Sequence, residues 1–240
     1  MDSEHLEQLR ARYREVAKRT WKTADFDPAQ LERSRSLYTE ESLALGTPRP
    51  RPLEVFGLLS GLPFRGDFTR ALEDVQREID DAIGPRLRYW VAPANLGVEY
   101  LVFKWPADEW RPEWLAPAHA AVLASEPRAF EFMIRGVQVN PDGCVVARGY
   151  DSGGELFRIR DSVRSALAWI PPKQSGWAHV PLGRILEPVG TEAFGRLRHL
   201  MTGLEERDVV STSIDRIILA HETRWYMEER TVLHEYRLPA

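Results

Sequence analysis

Cysteine is almost missing from this 240-residue chain, since Cys144 is the only one. A single cysteine excludes an internal disulfide and is typical of proteins from a reducing compartment. Long apolar runs are missing too, because no segment approaches the roughly 20 apolar residues needed to cross a bilayer. The first 20 residues are charged throughout, unlike a signal peptide. We therefore expect a cytoplasmic protein that makes no contact with a membrane.

An excess of positive charge is also absent, because 32 Lys and Arg residues stand against 36 Asp and Glu residues. The net charge of −4 excludes an extended nucleic-acid-binding surface and leaves only local contact with nucleic acid open. The sequence has no His/Cys cluster at metal-ligand spacing, no GxGxxG or P-loop motif and no nucleophile elbow. We therefore expect no bound metal and no cofactor.

The first 50 residues predict a helical arm and a linker. Residues 3–23 predict a helix with one narrow apolar stripe, because apolar residues recur there at three- and four-residue spacing. The stripe consists of Leu6, Leu9, Tyr13 and Val16. A second short helix is predicted after Pro28, and three prolines within residues 46–52 end the arm. Two interpretations stay open: the arm packs on the rest of the protein, or it binds a protein partner.

Residues 51–240 predict the body of the protein, in which strands and helices alternate. A hairpin is predicted across the turn sequence Pro-Asp-Gly at residues 141–143, and hairpins argue against a purely parallel sheet. The amphipathic helix at residues 66–84 has Asp67 as its expected N-cap and Gly84 as its stop. The predicted fold class is α+β with antiparallel sheets, in two lobes that repeat the same order of elements.

Two stretches of the body resemble signatures of a known family. In residues 87–103, LRYWVAPANLGVEYLVF, an aromatic strand and P-x-N-L precede further apolar residues. Residues 177–185, WAHVPLGRI, contain His-x-x-Leu-x-Arg. They resemble the two His-x-Thr signatures of the two-histidine (2H) phosphoesterases, the group of RNA 2′,5′-ligase-like proteins and cyclic phosphodiesterases. The resemblance covers about residues 53–238.

The resemblance implies a bilobal fold with pseudo-twofold lobes, each of which contributes one His-x-Thr strand to a central cleft. It also implies metal-independent cleavage or transfer of a phosphodiester. One histidine then acts as general base and the other as general acid, while the hydroxyl groups hold the phosphate. We expect the two motif strands to lie next to each other at the centre of the fold.

Three of the four motif positions depart from the family pattern. Gly97 stands where the first histidine is expected, Glu99 where its threonine is expected, and Pro181 where the second threonine is expected. His179 alone is retained. Because side chains alternate along a strand, Glu99 and His179 are predicted to face one cleft as a catalytic pair. The Glu99 carboxylate is expected to hold His179 protonated and to oppose a phosphate.

Residues near the motifs are candidates for ligand binding. Arg184 matches the arginine of the second signature, and Arg158 and Arg160 are further candidates for phosphate contacts. Trp105, Trp110 and Trp114 follow the first motif strand and either stack on a base or cover the edge of one lobe. The predicted ligand-binding residues are Arg184, Trp105, Trp177, Gly97 and Pro181.

A complete His-x-Thr sequence begins at His221. Its surroundings match the late hairpin of the family, outside the catalytic pair. We interpret His221 as a histidine of the sheet with a satisfied side chain, and a role in the cleft is the alternative.

Three functions remain open at this point. The leading hypothesis is a degenerate phosphoesterase-like protein that binds a nucleotide, an RNA end or another small ligand in the inherited cleft, without two-histidine catalysis. The second is an active phosphodiesterase or other esterase that uses Glu99 and His179 as an acid–base pair. The third is an interaction protein that acts through its N-terminal helices.

Overall fold

The computed structural model of the chain describes residues 3–239, with side chains from Leu6 onward. The α-helices are α1 (Ser3–Thr20), α2 (Pro28–Arg35), α3 (Glu40–Ala44), α4 (Gly66–Ile83), α5 (Leu115–Ala124), α6 (Glu155–Ala166) and α7 (Thr191–Leu204). The strands are β1 (Pro52–Gly61), β2 (Arg88–Trp90), β3 (Gly97–Lys104), β4 (Phe130–Val139), β5 (Cys144–Tyr150), β6 (Val180–Ile185), β7 (Asp208–Ile214), β8 (Arg216–Arg224) and β9 (Glu229–Arg237). Residues 1 and 2 of the predicted arm and residue 240 of the predicted body lie outside the described residues. None of the described helices is both long and apolar enough to span a membrane.

The strands form two antiparallel sheets. The first sheet has the strand order β3-β1-β8-β9, and the second has the order β2-β6-β5-β4-β7. Buried side chains from both sheets and from the helices form one large core, and a second, small cluster consists of Leu59, Leu62, Ile218, Ala220 and Met227. Helices combined with antiparallel sheets are the predicted α+β class.

The second sheet is built around the β4–β5 hairpin. Gly143 closes its turn with a φ of 79°, and a Cβ atom there would lie 2.1 Å from the Ile185 carbonyl oxygen, so only glycine fits. The edge strand β7, which the sequence pattern did not predict, pairs with β4 and places Ile214 opposite Phe130. Its sequence, DVVSTSI, is largely polar. An edge strand tolerates such a sequence because one side of it faces water, but the apolar pattern that identifies a strand is then weak.

α4 shows how the sequence sets the ends and the buried face of a helix. Its buried apolar side chains are Phe68, Leu72, Val75, Ile79 and Ile83. They lie three or four residues apart and so form one apolar face. The helix ends as predicted at Gly84, whose φ of 69° suits glycine. The predicted N-cap is wrong: Arg65 precedes the helix, and Asp67 lies inside the first turn, where its carboxylate still faces the positive end of the helix dipole.

The two motif strands, β3 and β6, lie in different sheets. β3 is an edge strand of the first sheet, whereas β6 pairs with β2 on one side and with β5 on the other. Because both hydrogen-bonding edges of β6 are occupied, β3 cannot pair with it. The two motif strands therefore lie next to each other where the sheets contact, as expected, but they are not paired neighbours in one sheet.

α1 packs on the body through the apolar stripe that the sequence predicts. Leu9 and Tyr13 are buried. The Tyr13 hydroxyl donates to the Gly149 carbonyl oxygen (3.4 Å) and accepts from the Ala178 N–H (3.2 Å). These bonds tie the arm to β5 and to the segment before β6. The helix ends at Thr20, earlier than predicted, and partner binding by the arm stays a prediction.

Tyr13→Ala is expected to lower the free energy of unfolding by about 3–5 kcal/mol, because it removes a fully buried ring. Tyr13→Phe keeps the ring contacts with Tyr150 and Trp177 and is expected to lose about 1 kcal/mol for the hydroxyl group. Urea unfolding followed by tryptophan fluorescence measures both. Leu45→Ala, at an exposed position of the arm, serves as the control. Equal stability of Tyr13→Ala and the control would show that the arm does not pack on the body in solution.

Candidate functional site

A cavity of about 120 Å³ lies where the two sheets meet. Four motif positions line it, namely Gly97, Glu99, His179 and Pro181. The other lining residues are Leu59, Leu62, Val91, Asn95, Glu222, Trp225, Tyr226 and Met227. The structure therefore brings both motifs to one cavity, although their strands belong to different sheets.

Glu99 enters the cavity from β3, on the same face of the strand as Gly97. Burial raises the pKa of its carboxyl group to about 7, and the Arg160 charge only partly opposes this rise. Among the described residues, no hydrogen bond or ion pair joins Glu99 to His179. Near neutral pH the Glu99 carboxyl group is therefore protonated in a fraction of the molecules and ionised in the rest.

His179 precedes β6 and stands with its ring edge-on to Trp177, at 5.5 Å between ring centroids. Burial, together with the charges of Arg160 and Arg184, lowers the pKa of His179 to about 4. The expectation that Glu99 holds His179 protonated is therefore wrong. Burial and two cations act on the imidazole in the same direction, and no ion pair with a carboxylate of the described chain offsets them.

Glu222 is the site residue that the sequence interpretation missed. It is 4% exposed, lines the cavity, and accepts the Met227 N–H at 2.7 Å through Oε1. Burial, together with the charge of the neighbouring Glu99, raises its pKa to about 7. The signal was present in the His-x-Thr sequence that begins at His221, because the residue between the histidine and Thr223 points to the other face of the strand.

His221 itself lies outside the cavity lining, on the opposite face of β8. Its ring stacks on Phe56 at 4.3 Å between centroids, and its Nε2 atom is 3.2 Å from Glu54 Oε1. This agrees with the interpretation of His221 as a satisfied histidine of the sheet.

The space of the missing first histidine is occupied. A Cβ atom on Gly97 would lie 3.1 Å from Leu62 Cγ, from Leu62 Cδ2 and from the Ser60 carbonyl oxygen. The Leu62 N–H donates to the Leu96 carbonyl oxygen at 3.1 Å, which holds this leucine beside the motif. The cleft therefore differs from one in which a histidine has only been replaced by glycine, because Leu62 packs closely against Gly97.

Two arginines that were candidates for phosphate contacts are held by internal bonds. The Arg184 guanidinium donates to Asp142 Oδ2 at 2.9 Å, to the Tyr226 hydroxyl at 2.6 Å and to Ser34 Oγ. Arg160 is buried and donates to backbone carbonyl oxygens. Neither side chain lines the cavity, because each is already bonded inside the protein behind its wall.

The predicted tryptophans also lie outside the cavity lining. Trp105 follows the far end of β3, and its Nε1 atom donates to the Lys173 carbonyl oxygen at 2.8 Å. Trp177 packs between Tyr13 and His179 and so supports the imidazole from behind. Trp110 stacks on Phe56 at 4.0 Å between centroids, which covers the edge of the first lobe.

The raised carboxyl pKa values predict a pH-dependent stability. In the unfolded chain Glu99 releases its proton near its ordinary value of 4.5, whereas in the folded protein it retains the proton up to about pH 7. Its contribution to the free energy of unfolding therefore falls as pH rises through this range. We expect Glu99→Gln to gain on the order of 2 kcal/mol over the unmodified protein between about pH 5 and about pH 8.

Urea unfolding at the two pH values measures this difference. His179, whose lowered pKa produces the opposite slope, is present in both proteins and cancels. Glu192→Gln, on the exposed face of α7, is the control and should follow the unmodified protein at both pH values. A Glu99→Gln difference that does not change with pH would contradict the raised pKa.

Neither a protein-family model nor a curated protein matches the chain, but solved structures do. TT0787 of Thermus thermophilus is 17% identical, with a TM-score of 0.52 over 77% of this chain and 97% of that one. E. coli LigT, a 2H phosphoesterase, is 12% identical, with a TM-score of 0.54 over 79% of this chain and 100% of its own. LigT structures complexed with phosphate, ATP and 3′-AMP are also similar. At such identities the likeness concerns the fold alone, and the fold of this chain is that of the 2H phosphoesterases.

Proposed function

We propose that the chain is a degenerate phosphoesterase-like protein that binds a small ligand in the cavity and does not perform two-histidine catalysis. The observation that carries this proposal is that His179 is the single histidine of the described cavity lining. Leu62 packs beside Gly97, where the histidine of the first motif would stand. The family mechanism needs two imidazoles that exchange a proton through the substrate, and here one of them is replaced by Gly97, whose surroundings are tight for a side chain.

The protonation states support the same proposal. A general acid must carry a proton at the working pH, and the pKa of His179 is lowered to about 4. Where threonine hydroxyls would hold a phosphate, the cavity has the Glu99 carboxyl group and the Pro181 ring. A phosphodiester would therefore meet a carboxyl group that is partly ionised at neutral pH and a proline ring without a donor, in place of two hydroxyl groups.

A nucleotide or an RNA end remains among the candidate ligands, because LigT has been crystallised with ATP and with 3′-AMP. The cavity of about 120 Å³ is smaller than the roughly 300–1,000 Å³ of typical ligand pockets. Only part of a nucleotide would enter it. The cytoplasm is the compartment that we propose, since the single cysteine is a buried free thiol.

One observation favours a second candidate, an esterase in which Glu99 is the general base and His179 its partner. The pKa of Glu99 is raised to about 7, and a catalytic base works best when its pKa lies near the working pH. Turnover separates this candidate from a purely binding function.

We expect negligible turnover of 2′,3′-cyclic AMP, since loss of one member of an acid–base pair typically removes about 10²–10⁴-fold in rate. Release of the monophosphate is followed by chromatography, with an enzyme of the same fold that has both His-x-Thr motifs as positive control. Turnover that matches the control and is lost in both Glu99→Gln and His179→Ala would contradict the binding proposal and establish the esterase.

A second prediction tests whether Leu62 excludes the missing histidine. Gly97→His is expected to lower the free energy of unfolding by about 1–3 kcal/mol, the usual range for overpacking. Leu62→Gly itself removes a buried side chain and lowers stability, but in that background Gly97→His should cost much less, because the space is empty and the Leu62 φ of 60° suits glycine.

The double-mutant cycle is measured by urea unfolding. Gly195→His is the matched control, because nothing lies within 4 Å of the position of its Cβ atom. Additive effects of the two substitutions would show that Leu62 and a histidine at position 97 do not compete for one space.

A further inference from the structure

The cavity holds two acidic side chains and, within residues 3–239, no cation that pairs with either of them. Glu99 and Glu222 both line it, and no ion pair of the described chain involves either carboxyl group. Glu222 has one bond from the Met227 N–H, and no hydrogen bond reaches the Glu99 side chain from the same residues. The remaining walls are mostly apolar, with Leu59, Leu62, Val91 and Met227 among them.

Arg160 and Arg230, whose charges act on the two carboxyl groups, are bonded elsewhere. Arg160 donates to the backbone carbonyl oxygens of Glu99, Tyr100 and Trp177. Arg230 donates to Asn95 Oδ1 at 2.7 Å and to the Met227 carbonyl oxygen at 2.6 Å. Both act on the carboxyl groups from behind the wall, yet the pKa of each carboxyl group is still raised to about 7. A cation inside the cavity would therefore give the two carboxyl groups the direct ion pair that these arginines do not provide.

We propose that the cavity binds a small organic cation, a primary amine or an amidine on an apolar body, with Glu99 and Glu222 accepting its N–H groups. This inference rests on the proposed binding function and specifies its ligand. Carboxylates bind such groups through charge-assisted hydrogen bonds. The aromatic residues Trp225 and Tyr226 also line the cavity, and aromatic rings attract organic cations.

The size of the cavity agrees with such a ligand. At about 120 Å³ it approaches the engineered apolar cavity of about 150 Å³ that holds benzene. One six-membered ring, or an alkyl group of similar volume, would by itself occupy most of this space, so the ligand can be no larger than one such group with its head group. A phosphate group would instead add negative charge next to two carboxyl groups.

The arrangement also favours an organic cation over a metal ion. Among the described residues, no group of three or more His, Cys, Asp and Glu side chains is placed to hold a metal. The two glutamates and His179 therefore line one cavity without converging on one point. A cation with several separate N–H groups can contact acceptors that are spread over a wall, whereas a metal ion requires them at one distance.

Isothermal titration of the full chain tests the inference with two matched pairs of probes. Cyclohexylamine and benzamidine are cations, and cyclohexanol and benzamide are their neutral counterparts of similar shape. At neutral pH we expect one cation or both to bind at least about 10-fold more tightly than its neutral counterpart. Glu99→Gln and Glu222→Gln should each weaken that binding by about 10-fold or more, since a hydrogen bond to a charged group contributes about 1.5–3 kcal/mol.

Glu192→Gln again serves as control and should bind as the unmodified protein does. Circular dichroism of every variant excludes unfolding as the cause of a loss. Equal binding of cation and neutral counterpart, or undiminished binding in both glutamine variants, would overturn the inference.

A parallel titration with 3′-AMP separates this inference from the proposed function. Binding of 3′-AMP without binding of either cation would overturn the inference and leave the proposed function standing. If neither the cations, their neutral counterparts nor 3′-AMP bind, both are wrong.

Discussion

The buried guanidinium of Arg160 determines how the two halves of the site face each other. From α6 it donates to the carbonyl oxygens of Glu99 and Tyr100 in β3, and to that of Trp177 shortly before β6. β3 and β6 belong to different sheets and share no backbone pairing. One side chain therefore joins the two motif segments, and the width of the cavity between them depends on it.

The same charge sets the chemistry of the cavity. Arg160 lowers the pKa of His179, in addition to the larger effect of burial, and it opposes the raised pKa of Glu99. Its Nη1 atom is buried without a hydrogen-bond partner. A buried cation next to an imidazole favours the neutral imidazole. Arg160, which holds the Trp177 backbone just before His179, therefore also disfavours the protonated imidazole that general acid catalysis would need. The cavity thus combines a neutral imidazole with two carboxyl groups that titrate near neutrality.

The strand pattern predicted most of the fold, since alternation and turn residues identified the β4–β5 hairpin and the face that Gly97 and Glu99 share. The pattern could not assign β3 and β6 to separate sheets, because the sequence of a strand does not indicate which other strand it pairs with. Glu222 was not predicted because the His-x-Thr pattern marks the face of β8 that carries His221, whereas Glu222 lies on the other face. The position of Leu62 depends on the turn after β1 folding back toward Leu96, a contact across the chain that no local pattern encodes. Arg184 matched a motif, but its side chain is bonded to Ser34 in the arm.

That last contact shows that the arm and the cavity are not independent. Arg184 joins Ser34 of α2 to Tyr226 of the cavity wall. Tyr38 of the arm packs against Tyr89 at 5.3 Å between ring centroids, and Tyr89 stacks on Tyr226 at 5.2 Å. Removal of residues 1–50 would therefore take one partner from each of the two residues that contact Tyr226, namely Arg184 and Tyr89, and disturb the cavity wall. A deletion cannot distinguish partner binding by the arm from ligand binding in the cavity, whereas substitutions confined to the exposed face of the arm leave the cavity wall in place.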